Sequence, residues 1–276
     1  MATGYDRAMK KASRSHGVPR NPGPRYPPVP AKAVAVLRDA EQALAANNLV
    51  AAEAALVPAM VLAPEHPKTL RLVGRARYLR GDWAEAIRNF ATVAEAVPGD
   101  IDNLIDLGRA QSANGDTASA AATLRRALEH RNDAATLIEL GIVLDAGADS
   151  EAALDVAIRL LAADADLARA RLLRARSLQA MGRIDDTAAE YRELIRRRQE
   201  IPAAWFGLMD IKTIRLDASE LARLKGAYNA AHWNDIERSL LAYAFGRAAE
   251  DAGEHADAVA AFDSANRLSR RRATWD

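Results

Sequence analysis

The chain repeats itself. Gly74 and Gly108 stand 34 residues apart, as do Gly81 and Gly115, and Gly141 follows Gly108 by 33. A period of that length is one supersecondary unit, too small to bury a core alone and stable only when stacked on copies of itself. Counting residue 33 as position one gives repeats at 33–66, 67–100, 101–133, 134–167 and 168–201. A weaker unit follows at 202–238 and a clear one at 239–272.

The columns of this alignment have a physical reading. Position eight holds Ala40, Gly74, Gly108, Gly141, Ala175 and Gly246, and position twenty holds Ala52, Ala86, Ala120, Ala153, Thr187 and Ala258. Small residues at two facing points let a pair of helices cross closely. Position fifteen holds Asn47, Gly81, Gly115, Gly182 and Gly253, residues that tolerate a left-handed turn. Larger residues at position twenty-four (Leu56, Phe90, Leu124, Tyr191, Phe262) fill the space between hairpins, while Pro64 and Pro98 end two second helices. Half the chain is apolar, much of that alanine, and only 5 % is aromatic, which favours helices in close, regular contact over one bulky core.

These columns resemble the tetratricopeptide repeat over about residues 33–272. The resemblance implies an all-α fold, a tetratricopeptide-repeat α-solenoid of about seven helical hairpins in a right-handed superhelix. The 202–238 unit departs from it, with Met209 and Leu216 at the small and turn positions. Two helix starts remain there, Asp217-x-x-Glu220 and Asn234-x-x-Glu237, each with capping-box spacing. The unit reads as a distorted hairpin at which Trp205 and Trp233 pack.

Residues 1–32 form a basic tail, seven Lys or Arg against Asp6, and residues 1–30 contain six of the eleven prolines. Such a composition favours an extended, solvated segment over a packed one. The alternative is a tail docked on the protein's own surface, with Tyr26 as its anchor. Absence of cysteine excludes disulfides, thiolate metal sites and a cysteine nucleophile. No Gly-x4-Gly-Lys phosphate loop is present, and His16, His66, His130, His232 and His255 show no zinc-ligand spacing. The sequence therefore predicts no catalytic, cofactor or metal site within these residues. A net charge of +1 gives no sign of a nucleic-acid partner. With no apolar run long enough to span a membrane and no signal segment, a cytoplasmic location without membrane partners is expected.

In the family it resembles, the first helix of each hairpin lines a concave groove, and positions two, five, nine and twelve share one helical side. In this sequence those positions bring Lys68, Arg71, Arg75 and Tyr78 together with Ile105, Arg109, Ile138 and Ile142, then Arg169, Leu172 and Arg176, with Phe206 further on. Arginines beside aliphatics suit an extended, acidic protein or peptide partner with an apolar side chain. Asp106, Glu139 and Asp145 on neighbouring helices are alternative partners for the same arginines.

The final unit adds a narrower resemblance. Its Ala244-Phe-Gly-Arg247 run, Glu250-Asp251, Gly253, Phe262 and Ala265-Asn266, preceded by Trp205-Phe-Gly-Leu-Met209, is similar to the closing repeat of bacterial tetratricopeptide-repeat sulfotransferase proteins. That resemblance implies a following domain that uses 3′-phosphoadenosine 5′-phosphosulfate, with these repeats recruiting the sulfate acceptor. Arg247 stands where lysine is expected, and no residue here inherits a catalytic role. The chain stops at Ala273-Thr-Trp-Asp276 without a capping element, so the last hairpin is expected to be covered by a catalytic domain or by self-association.

Overall fold

Short acidic side chains start many of the helices. Asp100, Asp116, Asp133 and Asp149 each accept the backbone N–H three residues ahead, from Asn103, Ser119, Thr136 and Ala152, and so satisfy donors left over at a helix start. The computed structural model describes residues 26–271, and the expectations for residues 1–25 and for 273–276 fall outside the described residues. Fourteen α-helices and no strand occur among them. They divide between two units, Met1–Gly147 and Ala148–Asp276. The first unit holds α1 (Val34–Ala45), α2 (Leu49–Leu62), α3 (Pro67–Arg80), α4 (Trp83–Ala96), α5 (Ile101–Ala113), α6 (Thr117–His130) and α7 (Ala134–Ala146). The second holds α8 (Ser150–Ala163), α9 (Ala168–Ala180), α10 (Ile184–Arg196), α11 (Ile201–Asp210), α12 (Ala218–Tyr228), α13 (Asp235–Asp251) and α14 (His255–Arg270). The boundary between units falls in the turn of the fourth repeat.

Three hairpins close tightly over a position-eight glycine. A Cβ added at Gly74 would lie 2.7 Å from the Phe90 ring, one at Gly108 2.9 Å from Leu124, and one at Gly246 2.9 Å from Phe262. The group that faces position eight is thus the large residue of position twenty-four. The position-twenty alanines Ala52, Ala86 and Ala120 are fully buried beside it. Turns at position fifteen are left-handed at Asn47, Gly81, Gly115, Gly182 and Gly253, with φ between 54° and 91°. Ala148, which holds that position in the fourth repeat, joins them at φ 57°.

The distorted unit differs in how its helices pair. Both capping boxes form, at Asp217 with Glu220 and at Asn234 with Glu237. The first helix, α11, packs between α10 and α13 and meets α12 only slightly, and α12 leans on α13. Helix α13 begins at Asp235, so the repeat boundary placed before 239 lies inside it. Trp205 is 1 % exposed, and Trp233 packs on the same core, with its indole N–H donating to the Ala227 carbonyl at 2.9 Å. Gly207, two positions before Met209, provides the close crossing here, opposite Tyr191.

The described end of the tail is docked. Residues 26–30 belong to no helix or strand, and Ala31–Ala33 form one 3₁₀ turn that leads into α1, so helix begins two residues inside the span assigned to the tail. The Tyr26 hydroxyl donates to Asp100, Pro27 accepts from His66, and Val29 packs on the core of the first hairpin. For residues 26–30 the solvated tail is therefore replaced by the docked alternative, and Tyr26 is the anchor.

Candidate functional site

Within the first unit, consecutive odd-numbered helices touch: α1 meets α3, α3 meets α5, and α5 meets α7. The even-numbered helices make no comparable contact with one another. Odd helices therefore line the inner side of this unit, where the sequence placed the binding positions.

Charge pairs run along that side from helix to helix. Lys68 on α3 reaches Glu41 on α1 at 2.9 Å. Arg71 on α3 grips Asp106 on α5 through Nε at 3.2 Å and an Nη at 3.0 Å. Arg109 on α5 meets Glu139 on α7 at 2.5 Å. Each rung joins one first helix to the next. Burial works against the charge of Arg71, but Asp106, Asp100 and Tyr26 outweigh it and hold the guanidinium well above its ordinary pKa. Burial pushes the Asp106 carboxyl above the usual carboxylate range, against the pull of Arg71, Arg75 and Arg109. Three of the predicted basic residues thus have partners within the fold, and sequence reasoning had named two of those partners, Asp106 and Glu139.

Arg75 differs. Among the described residues it forms no ion pair, although its charge reaches Asp106. It stands half-buried one turn before Tyr78, which lies with Ile105 against the core around Phe90 and Leu104. Further along, Ile138 is half-buried and Ile142 is 49 % exposed. Of the predicted basic residues in the first unit, Arg75 alone forms no ion pair among the described residues, and Tyr78, Ile105, Ile138 and Ile142 supply half-buried or exposed apolar groups on the same odd-numbered helices.

In the second unit α9 carries Arg169 and Leu172, both half-buried, and the exposed Arg176. Leu172, Phe206 and Tyr243 hold position five on α9, α11 and α13, and α11 touches both of the others. The Phe206 and Tyr243 rings pack with centroids 5.1 Å apart, and Tyr243 meets Phe262 edge-on at 6.0 Å. Tyr243 was not singled out from the sequence, although it shares the column of Leu172 and Phe206. Gln179 donates to Asp210 at 3.0 Å, and Arg247 pairs with Glu250 at 2.5 Å, so polar contacts flank this apolar strip.

A separate apolar surface lies on α2, where Val50, Val57 and Val61 are 80 %, 59 % and 79 % exposed along one helical stripe. Among the described residues no cluster of His, Asp and Glu could hold a metal ion, and no helix is long and apolar enough to cross a membrane.

A stack of two-helix repeats with an inner side of paired charges and half-buried apolar groups defines a helical-repeat scaffold. Residues 77–139 and 172–208 each match a family model described as tetratricopeptide repeat. A tetratricopeptide repeat protein from Parabacteroides merdae shares the fold, with TM-score 0.68 at 17 % identity over 87 % of this chain and 94 % of that one. Nearly identical TPR-like repeats from Podosopora anserina give TM-score 0.51 at 18 % identity over 61 % of this chain and 95 % of theirs. No curated protein matches the chain. The fold is the tetratricopeptide-repeat α-solenoid.

Proposed function

We propose that the chain binds an extended segment of a partner protein along the inner side of the odd-numbered helices of its first unit, and that the segment carries a carboxylate next to an apolar side chain. The observation that carries this reading is Arg75, which forms no ion pair among the described residues and stands one helical turn before Tyr78, itself packed with Ile105 on one core. A guanidinium offers paired donors to a carboxylate, and a half-buried setting makes that contact stronger than at an open surface. Lys68, Arg71 and Arg109 contribute chiefly by holding the helices in register, since an incoming carboxylate must compete with Glu41, Asp106 and Glu139. Ile105, Ile138 and Ile142 receive the apolar side chain. The sulfotransferase reading rests on the sequence of residues 202–272 alone and gains nothing from the geometry, so the scaffold reading is carried forward.

The test is titration of the full chain with a library of acidic and basic peptides at two salt concentrations. Acidic peptides with one aliphatic residue should bind best and weaken as salt rises. Arg75→Glu should cost about 1–3 kcal/mol of affinity without unfolding the repeats. Preference for basic peptides, or an unchanged affinity in the variant, would overturn the reading.

A further inference from the structure

The docked segment at the start of the described chain sits in a site whose polar groups are already set by the fold. Asp100 is fully buried; one carboxylate oxygen caps α5 through the Asn103 N–H at 3.0 Å, and the other accepts the Tyr26 hydroxyl. Arg71 stands 4.0 Å from that second oxygen and is fixed by its grip on Asp106. His66 caps α3, with Nδ1 accepting the Lys68 N–H at 3.1 Å. The proton of the neutral ring therefore lies on Nε2, which donates to the Pro27 carbonyl at 2.9 Å. The imidazole also lies beside the Tyr26 ring, with centroids 6.3 Å apart. A phenol acceptor, a ring contact and a donor for the next carbonyl together read a tyrosine and the backbone carbonyl of the residue after it.

The occupant has the properties of a peptide ligand. Pro27, Pro28 and Pro30 are exposed, and Tyr26 and Val29 alone are half-buried. Three prolines in five residues stiffen the segment before it docks, so little chain entropy is lost on binding. The receptor side chains have structural duties of their own, in capping α3 and α5 and in pairing with Asp106.

We propose that the ends of α3 and α5 form a binding site for an extended, proline-flanked tyrosine, that Tyr26–Pro30 is its resident occupant, and that a segment of the same chemistry from another molecule exchanges with it. The inference is independent of the acidic-peptide reading, although both use the neighbourhood of Arg71. Tethering gives the resident segment an effective concentration in the millimolar range, which shields the site until a partner competes.

The probe is a fluorescein-labelled synthetic peptide with the sequence of residues 25–32. Full-length Tyr26→Ala should bind it at least tenfold tighter than the parent chain, because the resident tyrosine is gone. A probe with phenylalanine for tyrosine should bind at least tenfold more weakly, since it leaves the buried Asp100 oxygen without its hydroxyl partner. If Tyr26→Ala melts without cooperativity, Tyr26→Phe keeps the ring and serves as receptor. A folded variant that binds the tyrosine probe no better than the parent, or binds both probes equally, overturns the proposal. Sedimentation of the parent then separates the sources: a concentration-dependent dimer abolished by Tyr26→Ala marks exchange between copies, and a monomer at all concentrations marks a foreign segment.

Discussion

A Cβ at Gly207 would fall 2.2 Å from the Tyr191 ring carbon that carries the hydroxyl. The ring cannot easily retreat, because Tyr191 is 2 % exposed and its hydroxyl donates to Gln179 at 2.9 Å. Helix α11 approaches α10 this closely only because residue 207 lacks a side chain.

Gly207→Ala should therefore destabilise the chain by about 2–3 kcal/mol, the upper part of the range for overpacked cores. Gly226→Ala is the control. Nothing lies within 4 Å of that helical glycine, and the change should stabilise by about 0.5–1 kcal/mol through helix propensity. Urea denaturation reads both. A double variant Gly207→Ala, Tyr191→Leu should lose less than the two single changes together, since the smaller side chain vacates the contested space. Equal losses at 207 and 226 would show that the crossing is not tight.

Two carboxylates should respond to pH in opposite directions. Arg196 and Arg197 hydrogen-bond to Glu193 and lower its pKa from 4.5 to about 2. Its contribution to stability is present above pH 4.5 and is lost as pH falls through 2. Asp106 is raised by burial above its ordinary 3.8, so the folded chain binds its proton more readily than the unfolded one, and stability from this group is present below 3.8 and is lost as pH rises through the raised value. Carbon-detected NMR titration should find Glu193 midway near 2 at low salt and higher in 1 M salt, because the pair is exposed and screened. A Glu193 midpoint insensitive to salt would contradict this account.

Much of this architecture was readable from residue types at a fixed period. Glycine at positions eight and fifteen marks a close crossing and a left-handed turn whatever surrounds it, and Gly108 and Gly115 do both. The capping boxes at Asp217 and Asn234 were legible because capping is local. Gly207 was not, because the distorted unit moves its close crossing out of the column in which glycine was sought. Docking of Tyr26 depends on a partner 74 residues away, and no local signal specifies it. For the candidate site, helical spacing identified residues on the inner side within each unit. Which of the two arginines on α3 forms an ion pair among the described residues was beyond it, because Arg71 and Arg75 differ only in how each reaches the carboxylate of Asp106 on the next helix.

Ala148 tests the turn column directly. It is the one alanine among the left-handed residues at position fifteen, with φ 57°, where Gly115 in the preceding repeat has φ 87°. A left-handed backbone costs an L-residue about 1–2 kcal/mol, because Cβ crowds the following carbonyl oxygen. Glycine avoids that cost and surrenders about half of the gain to its greater freedom in the unfolded chain. Ala148→Gly should therefore stabilise the chain by about 0.5–1 kcal/mol, and Gly115→Ala should destabilise it by a similar amount. No atom lies within 4 Å of a Cβ placed at Gly115, so the second effect comes from the backbone alone and not from packing. Chemical denaturation of both variants beside the parent gives the two signs. If Ala148→Gly destabilises, that turn is not held in its left-handed form in solution, and the repeat period breaks there.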